Sequence, residues 1–390
     1  MRITSVSMPQ ARADSRAEST AARQSGRLPR VGITTLTFAI VFFIGRNGVE
    51  SAPCNATVPA VTAAPLPSMT VVVPTYRRRD AVVRLLRALI EELRAEEVAA
   101  GVDLLVMVDG SRDGTLEAVE ALESPVPLRA LFHENAGRAA TRNRGLEEAE
   151  GEIVWFVDDD MVPTDGLLAR HRRGHAGPEP RFMMGPCLHP PDGAEITGPI
   201  RDYAESWFGA LAEAGEVTKA FDFSVANTSG PRSLWVDVGG FDERLSGWGG
   251  EDYEIGLRII DRGIPVLFDP EAVAWHHQLR TVREFCADRY EQGRNFVRIA
   301  RLHPDSVEEM IPEMRSGRAL RLLHRLSAGQ PRRYAIGAKA LTLGAQAEAR
   351  VARDGGGRLL DLAQMASQIA GVAELDPEGS LVERYFAGTA

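Results

Sequence analysis

Short apolar runs rich in β-branched residues alternate with helix-like segments from Thr70 onward. In each helix-like segment the apolar residues recur at spacings of three and four, which is the period of one face of an α-helix. This alternation predicts an α/β fold with a mostly parallel sheet and flanking helices, because parallel strands need long crossover connections. The predicted strands are Thr70–Val73, Leu104–Val108, Leu128–Phe132 and Ile153–Val157, joined by predicted helices at Asp80–Val98, Thr115–Leu122 and Arg138–Ala149.

The pattern is mixed beyond residue 180. The pattern of Phe268–His277 predicts one strand that ends in two histidines. From Pro304 to the end, helix-forming residues interrupted by isolated glycines and prolines predict a small C-terminal helical extension. Further helices are predicted at Arg201–Ala214, Glu251–Arg262 and Val282–Leu302.

Composition narrows the classes of protein and of partner. The 390 residues are 44% hydrophobic and 25% charged, which is ordinary for a folded soluble chain. A formal net charge of −9 argues against a nucleic-acid partner, because such proteins usually carry a basic face. Cys54, Cys187 and Cys286 are far apart, which supports neither a disulfide framework nor a zinc site. We therefore expect a cytoplasmic protein.

Residues 1–67 differ from the rest of the chain and predict a poorly ordered leader. Six arginines precede position 31, an apolar run covers Val31–Ile44, and a Pro/Ala/Thr-rich stretch follows. The run is shorter than the roughly 20 residues that a membrane-spanning helix needs. Three interpretations stay open: a dispensable leader with translation starting at Met69, an anchor giving peripheral membrane association through residues 31–45, and an export signal.

Polar residues follow three of the predicted strands, where open parallel sheets bind their ligands. The segment after the second strand is also explained as a turn and a helix N-cap. Three adjacent carboxylates after the fourth strand repel one another unless a cation lies between them. Mg²⁺ or Mn²⁺ would serve, and such ions usually bind substrate phosphates as well, so a diphosphate ligand is implied. The three segments are Pro74-Thr75-Tyr76, Asp109-Gly110-Ser111-Arg112-Asp113-Gly114-Thr115 and Asp158-Asp159-Asp160.

The order of motifs from Met69 to Leu302 resembles the family 2 glycosyltransferases of the GT-A fold. The resemblance implies a glycosyltransferase domain over residues 68–303, with a nucleotide-binding half at 68–165 and an acceptor half at 166–303, followed by the extension at 304–390. The motifs are V-V-V-P-T-Y, V-D-G-S-R-D-G-T, N-A-G-R-A-A-T-R-N-R-G, W-F-V-D-D-D-M-V-P, G-G-F-D-E-R-L and G-W-G-G-E-D-Y-E-I-G-L-R.

The same resemblance assigns roles to the nucleotide-binding half. Asp158 would lie near the ribose, Asp159 beside the nucleotide-sugar, and Asp160 would hold the metal. Asp109 would accept a hydrogen bond from the base, although many relatives have two acids where this chain has Val108-Asp109. The remaining nucleotide-contacting residues would be Pro74, Thr75 and Tyr76 at the nucleobase and ribose, with Gly137 and Arg142 bordering the nucleotide.

Residues Gly247–Arg258 supply a candidate general base. Trp248 offers an apolar ring face to a sugar, and Gly249 and Gly250 allow the backbone to approach it closely. The acids Glu251 and Asp252 come next; by resemblance Asp252 is the base, and Glu251 is the second candidate catalytic residue. Some retaining relatives have Asn at the second position, so the aspartate favours inversion. The alternative is that both acids only complement the dipole of the helix they begin.

Two adjacent histidines on a strand point to opposite faces, so at most one can join a site. By resemblance His276, after Ala274-Trp275, is a metal ligand. The run Arg289–Arg294 is explained equally well as an acceptor-side segment and as a solvated helix face. No G-x-G-x-x-G follows the first strand, which excludes a nicotinamide dehydrogenase.

The sequence therefore predicts metal-dependent, inverting transfer from a nucleotide-sugar, with UDP-sugars favoured. The acceptor would be a glycan, a lipid-linked molecule or a small molecule. A nucleotidyltransferase that makes nucleotide-sugars and a catalytically inactive glycan-binding protein stay open as alternatives.

Overall fold

A central sheet of seven strands carries the fold. In the computed structural model the described residues are 66–190, 198–277, 281–307, 318–327, 329–351, 358–376 and 378–387. Their strands are β1 Met69–Thr75, β2 Val102–Asp109, β3 Leu128–His133, β4 Ile153–Val157, β5 Met161–Pro163, β6 Phe182–Met184, β7 Cys187–Leu188, β8 Asn227–Pro231, β9 Val266–Phe268 and β10 Ala274–His276.

The order in the large sheet is β3-β2-β1-β4-β8-β6-β9. Strands β3, β2, β1 and β4 are parallel, while β8 runs antiparallel to both β4 and β6. A second sheet of β5, β10 and β7 lies beyond the end of β4. The predicted mostly parallel sheet is confirmed. All five residues of β4 are buried, as expected for a wholly apolar strand covered on both faces.

Helices cover the sheet and continue into the C-terminal part. The predicted helix at 80–98 is two helices, and the other predicted helices are confirmed to within a few residues at their ends. The bounds are α1 Arg79–Glu92, α2 Glu96–Ala99, α3 Thr115–Glu120, α4 Arg138–Glu148, α5 Leu167–Gly174, α6 Gly198–Ala214, α7 Arg232–Asp237, α8 Glu251–Asp261, α9 Val282–Leu302, α10 Arg318–Ser327, α11 Pro331–Val351, α12 Arg358–Leu375 and α13 Ser380–Ala387.

One predicted strand, Phe268–His277, is wrong. The segment contains the end of β9, a turn, and then β10. Two hydrogen bonds to Asp269 form the turn. Its side-chain carboxylate accepts one from Glu271 N at 3.0 Å, and its backbone carbonyl accepts one from Ala272 N at 3.1 Å. Pro270 lacks the N–H that a strand ladder needs.

None of the described helices is long and apolar enough to cross a membrane. Residues 1–65 of the predicted leader lie outside the described residues, so its three interpretations stay predictions.

The C-terminal helices pack directly on α9. Two glycines permit a close crossing of α9 and α12. A Cβ on Gly293 would lie 2.0 Å from the carbonyl oxygen of Gln368, and a Cβ on Gly371 would lie 2.0 Å from that of Tyr290. The predicted helical extension is therefore confirmed, and it supports one face of α9.

Replacing Gly371 with Ala should lower the free energy of unfolding by about 1–3 kcal/mol, because the methyl group overpacks the crossing. Gly344→Ala in α11 is a matched control: its Cβ would meet Leu359 at an ordinary 3.5 Å, and alanine favours a helix. Urea unfolding measures both. Equal effects of the two changes would contradict the close crossing.

Candidate active site

A cavity of about 280 Å³ lies where the end of β4, the start of α8, the end of β10 and one face of α9 meet. It brings together predicted site residues that are far apart in sequence. Those that line it are Arg142, Asp158, Asp160, Trp248, Gly249, Gly250, Glu251, Asp252 and His276. The other predicted residues, Pro74, Thr75, Tyr76, Asp109, Gly137 and Asp159, do not line it.

The guanidinium of Arg142 joins the two acidic ends of the site. Its Nη2 donates to Asp158 Oδ1 at 3.0 Å, and its Nη1 donates to Glu251 Oε1 at 3.1 Å and lies 3.5 Å from Asp252 Oδ1. Only 3% of the side chain is exposed. Burial lowers the pKa of Arg142, but the surrounding carboxylates outweigh that effect and raise it overall. The arginine is therefore a fixed cation between β4 and α8.

A second arginine, Arg78, bridges Asp159 and Asp160. Its Nη1 donates to Asp159 Oδ1 at 3.0 Å and also to Asp160 Oδ2. Thr75 Oγ1 donates to the other oxygen of Asp159 at 2.7 Å. Burial and the neighbouring Asp160 raise the pKa of Asp159 to about 7. The Asp159 carboxylate is thus bound to Thr75 and Arg78, and it does not line the cavity.

These two arginines change the charge argument made from the sequence. The three adjacent carboxylates do have cations between them, but the cations are side chains of the protein. Repulsion among Asp158, Asp159 and Asp160 therefore does not by itself require a metal ion. A metal ion would instead need donor atoms that face the cavity.

Asp160 and His276 provide such donor atoms. Asp160 Oδ1 is buried and accepts no hydrogen bond, and His276 Nε2 lies 3.4 Å from it. Burial opposes the ionised form, but His276 and Arg78 together hold the pKa of Asp160 below its ordinary value. A carboxylate oxygen that accepts no hydrogen bond, beside an imidazole nitrogen, fits a divalent ion that takes its other ligands from phosphate or water. Among the described residues, no group of three His, Cys, Asp or Glu side chains is arranged to hold a metal.

Asp252 lies on the first turn of α8 and lines the same cavity as Asp160 and His276. Its Oδ2 accepts a hydrogen bond from Val225 N at 3.2 Å, whereas its buried Oδ1 accepts none. Burial raises the pKa of Asp252 to about 7, although Arg142 acts in the opposite direction. A carboxylate whose pKa is close to neutral is suited to accept a proton at neutral pH. Glu251 Oε1, by contrast, accepts a hydrogen bond from Arg142.

Glycine conformation fixes the start of α8. Gly250 has φ +108°, and a Cβ there would lie 2.9 Å from Asn295 Cβ. Asn295 Nδ2 on α9 donates to the carbonyl oxygen of Gly249. The Trp-Gly-Gly segment is thus held between α8 and α9, with half-buried Trp248 on the cavity wall.

The predicted nucleobase residues lie outside the cavity lining, at the carboxyl ends of β1 and β2. Asp109 accepts hydrogen bonds from Ala136 N at 2.7 Å and from Gly137 N at 3.2 Å. Tyr76 is 41% exposed, with the Arg77 guanidinium 4.9 Å from its ring centre. The carboxylate of Asp109 therefore orders the loop before α4, a role that the sequence did not predict.

Several cavity residues were missed by the sequence analysis. Arg78 belongs to a run of three arginines, and Arg138 lies within a quoted motif, but no role was assigned to either. His189 stacks on His276 with 5.4 Å between ring centres, but it follows a strand of only two residues that was not predicted. The cavity is also lined by aromatic rings: Trp207, Phe208, Phe221, Phe223, Tyr253 and Phe285.

Comparison with known proteins agrees with this arrangement. The family model described as glycosyl transferase family 2 matches residues 70–201, from β1 through Asp158–Asp160. Residues 70–201 are thus similar to the family 2 glycosyltransferases, and curated relatives named as glycosyltransferases agree with that match. A second model, described as the N-terminal domain of galactosyltransferase, matches residues 223–276, which include Asp252 and His276. The two matches together contain both acidic ends of the cavity.

Two curated relatives are similar to this chain at less than 30% identity. Validoxylamine A glucosyltransferase of Streptomyces hygroscopicus subsp. limoneus is 29% identical over 291 residues, covering 66% of this chain and 62% of the relative. The uncharacterized glycosyltransferase YfnE of Bacillus subtilis (strain 168) is 26% identical over 256 residues, covering 54% of this chain and 64% of the relative. The chain therefore spans a little under two thirds of the length of these curated relatives.

A solved structure supports the fold. The mannosyltransferase PcManGT from Pyrobaculum calidifontis, in complex with GDP-Man and Mn²⁺, superposes with a TM-score of 0.54 at 22% identity. The match covers 80% of this chain and 89% of that one. It agrees with the GT-A architecture that the motifs imply.

Arg142→Gln should lower the free energy of unfolding by about 3 kcal/mol at pH 7, because it leaves buried carboxylates without their cation. The loss should shrink as the pH falls and those carboxylates become protonated. Arg138→Gln is the control, since Arg138 is 42% exposed and lies 3.8 Å from the same Glu251 oxygen. Urea unfolding at several pH values distinguishes them; equal small losses would show that Arg142 is not the central cation.

Proposed function

We propose that this protein transfers a sugar from a nucleotide diphosphate-sugar to an acceptor hydroxyl, with inversion at the anomeric carbon. One observation carries the proposal: Asp252 and Asp160, each with one buried carboxylate oxygen that accepts no hydrogen bond, line the same small cavity, and burial raises the pKa of Asp252. A base and a phosphate-binding region are the two elements that such a transfer needs. The resemblance of the motifs favours a UDP-sugar as donor.

The donor would bind at the ends of β1, β2 and β4. Asp160 and His276 would hold Mn²⁺ or Mg²⁺, which would neutralise the diphosphate as it leaves. Arg78 is 34% exposed and lines the cavity, so its positive charge is available to the same phosphates. Arg142 stays buried and keeps Asp158 in place through the bond between them.

The acceptor would bind on the α8 and α9 side of the cavity. As its hydroxyl oxygen attacks the anomeric carbon, Asp252 takes the hydroxyl proton. The new carbon–oxygen bond forms while the bond to the diphosphate breaks, and the electron pair leaves with the diphosphate. A single attack from the face opposite the leaving group inverts the configuration. Trp248 and the aromatic rings of the cavity would pack against C–H groups of the sugars.

Asp252→Asn tests the base most directly. The amide keeps the shape of the carboxylate but loses its basicity, so turnover should fall about 10² to 10⁴-fold. Donor affinity should be nearly unchanged, since Asp252 does not contact the Asp160–His276 pair. Release of nucleoside diphosphate from UDP-glucose and GDP-mannose, with a set of simple glycosides as acceptors, provides the assay.

Asp160→Asn is the matched variant for that experiment, because it also replaces a buried carboxylate but on the donor side. It should weaken donor binding and turnover together. An Asp252→Asn protein with near-normal turnover would contradict the mechanism, as would retention of configuration in the product.

The pH dependence follows from the raised pKa of Asp252. A general base must be ionised to act, so kcat/KM should be low in acid, rise as the pH passes through about 7, and level off above it. A pH–rate profile of the wild-type enzyme measures this. Constant activity down to pH 5 would exclude Asp252 as the titrating base.

A further inference from the structure

The outer surface of α10 and α11 exposes an unusual number of large apolar side chains. Among the described residues, the four most exposed large hydrophobic side chains are all there. Leu322 is 55% exposed, Leu326 66%, Ile336 69% and Leu343 59%. Single exposed leucines are normal on a protein surface, but a group on two consecutive helices marks a contact site.

The same two helices carry a concentrated positive charge. Residues 318–347 include six Lys and Arg and no Asp or Glu, although the chain as a whole has a net charge of −9. The exposed cations Arg325, Arg332, Arg333 and Lys339 lie between the exposed apolar residues in the sequence. We call these exposed residues of α10 and α11 the basic apolar surface.

Packing on the opposite side of the helices holds this surface in place. Leu320 and Tyr334 are completely or almost completely buried in a cluster with Ile369 and Ala373 of α12. A Cβ on Gly337 would lie 2.2 Å from Leu323 Cδ1, so α10 and α11 are also in close contact with each other. The inward residues are thus accounted for, and the exposed ones have no role in this packing.

Residue spacing places the exposed apolar side chains in stripes. Leu322 and Leu326 are four residues apart on α10, and Ile336 and Leu343 are seven apart on α11, so each pair lies along one side of its helix. Arg325 and Lys339 adjoin these stripes. Amphipathic helices with aliphatic residues and flanking arginines lie in the interface of a lipid bilayer.

We propose that the basic apolar surface binds the surface of an anionic lipid bilayer. The exposed leucines and isoleucine would enter the boundary between headgroups and acyl chains, while the arginines and lysine contact the lipid phosphates. Charge complementarity selects this partner, because an anionic surface attracts residues 318–347 and repels the acidic remainder of the chain. Nucleic acid offers phosphates but no apolar layer for four aliphatic side chains. The site is distinct from the cavity and independent of the proposed transfer reaction.

Co-sedimentation of the full chain with vesicles tests the proposal. One set of vesicles is pure phosphatidylcholine, and the other contains equal parts of phosphatidylcholine and phosphatidylglycerol. Binding to the anionic vesicles should exceed binding to the neutral ones by at least about tenfold, and it should weaken as salt is added.

Two variants separate the apolar and the charged contributions. The double variant Leu322→Ser/Leu326→Ser and the triple variant Arg325→Gln/Arg332→Gln/Arg333→Gln should each lose about tenfold or more in binding to anionic vesicles. Thermal unfolding should be nearly unchanged, because the replaced side chains are exposed.

Matched controls lie elsewhere on the described surface. Val236→Ser removes a 52% exposed apolar side chain from α7, and Arg94→Gln/Arg112→Gln/Arg262→Gln makes the same change in net charge as the triple variant. Both controls should bind vesicles like the wild type.

Three results would overturn the proposal. In the first, the wild type fails to bind anionic vesicles. In the second, the surface variants bind as well as the wild type, which would assign binding to another part of the chain, such as residues 31–45. In the third, the wild type is a dimer that the leucine variant converts to a monomer, which would assign the surface to a second copy of the chain.

Discussion

The interaction on which the rest of the site depends is the buried ion cluster around Arg142. The end of β4 and the start of α8 both carry carboxylates, and they could not approach one another without a cation between them. Arg142 provides it from α4, with bonds to Asp158 and Glu251. Since Glu251 precedes Asp252 directly, the same interaction fixes the position of the proposed base. The end of β4 and the start of α8 are therefore joined by one side chain.

The C-terminal helices extend this constraint to the other wall of the cavity. Helix α9 contributes Phe285 and Gln292 to the cavity on one side and crosses α12 at Gly293 on the other. Asn295 of the same helix holds the carbonyl of Gly249. A helical extension that looks like an appendage in the sequence thus supports the wall beside the proposed base.

Local patterns in the sequence were sufficient for the four parallel strands β1 to β4 and for one group of site residues. Strand β4 was predicted to the residue because a short, wholly apolar run bounded by acids has few other interpretations. Asp160, Asp252 and His276 were predicted to act together, and they do line one cavity. Metal binding and the catalytic roles of these residues stay proposals.

The partners of those residues were beyond prediction, because they depend on long-range pairing. Nothing in the sequence indicated that Arg78 would lie between Asp159 and Asp160. Because this cation was not predicted, the separation of those charges was assigned to a metal ion. His189 comes after a two-residue strand whose pairing with β10 exists only in the folded chain. The base contact that the resemblance assigns to Asp109 stays a prediction, whereas the hydrogen bonds from backbone N–H groups of the loop before α4 to its carboxylate were not predicted.

Calorimetric titration of the full chain with UDP and with GDP, each with Mn²⁺ and with a chelator in its place, is the most direct test of the central claim. If Asp160 and His276 form the donor site through a divalent ion, at least one nucleotide should bind with Mn²⁺ and bind at least about tenfold more weakly without it. Equal affinity under both conditions, or no binding of either nucleotide, would contradict the account.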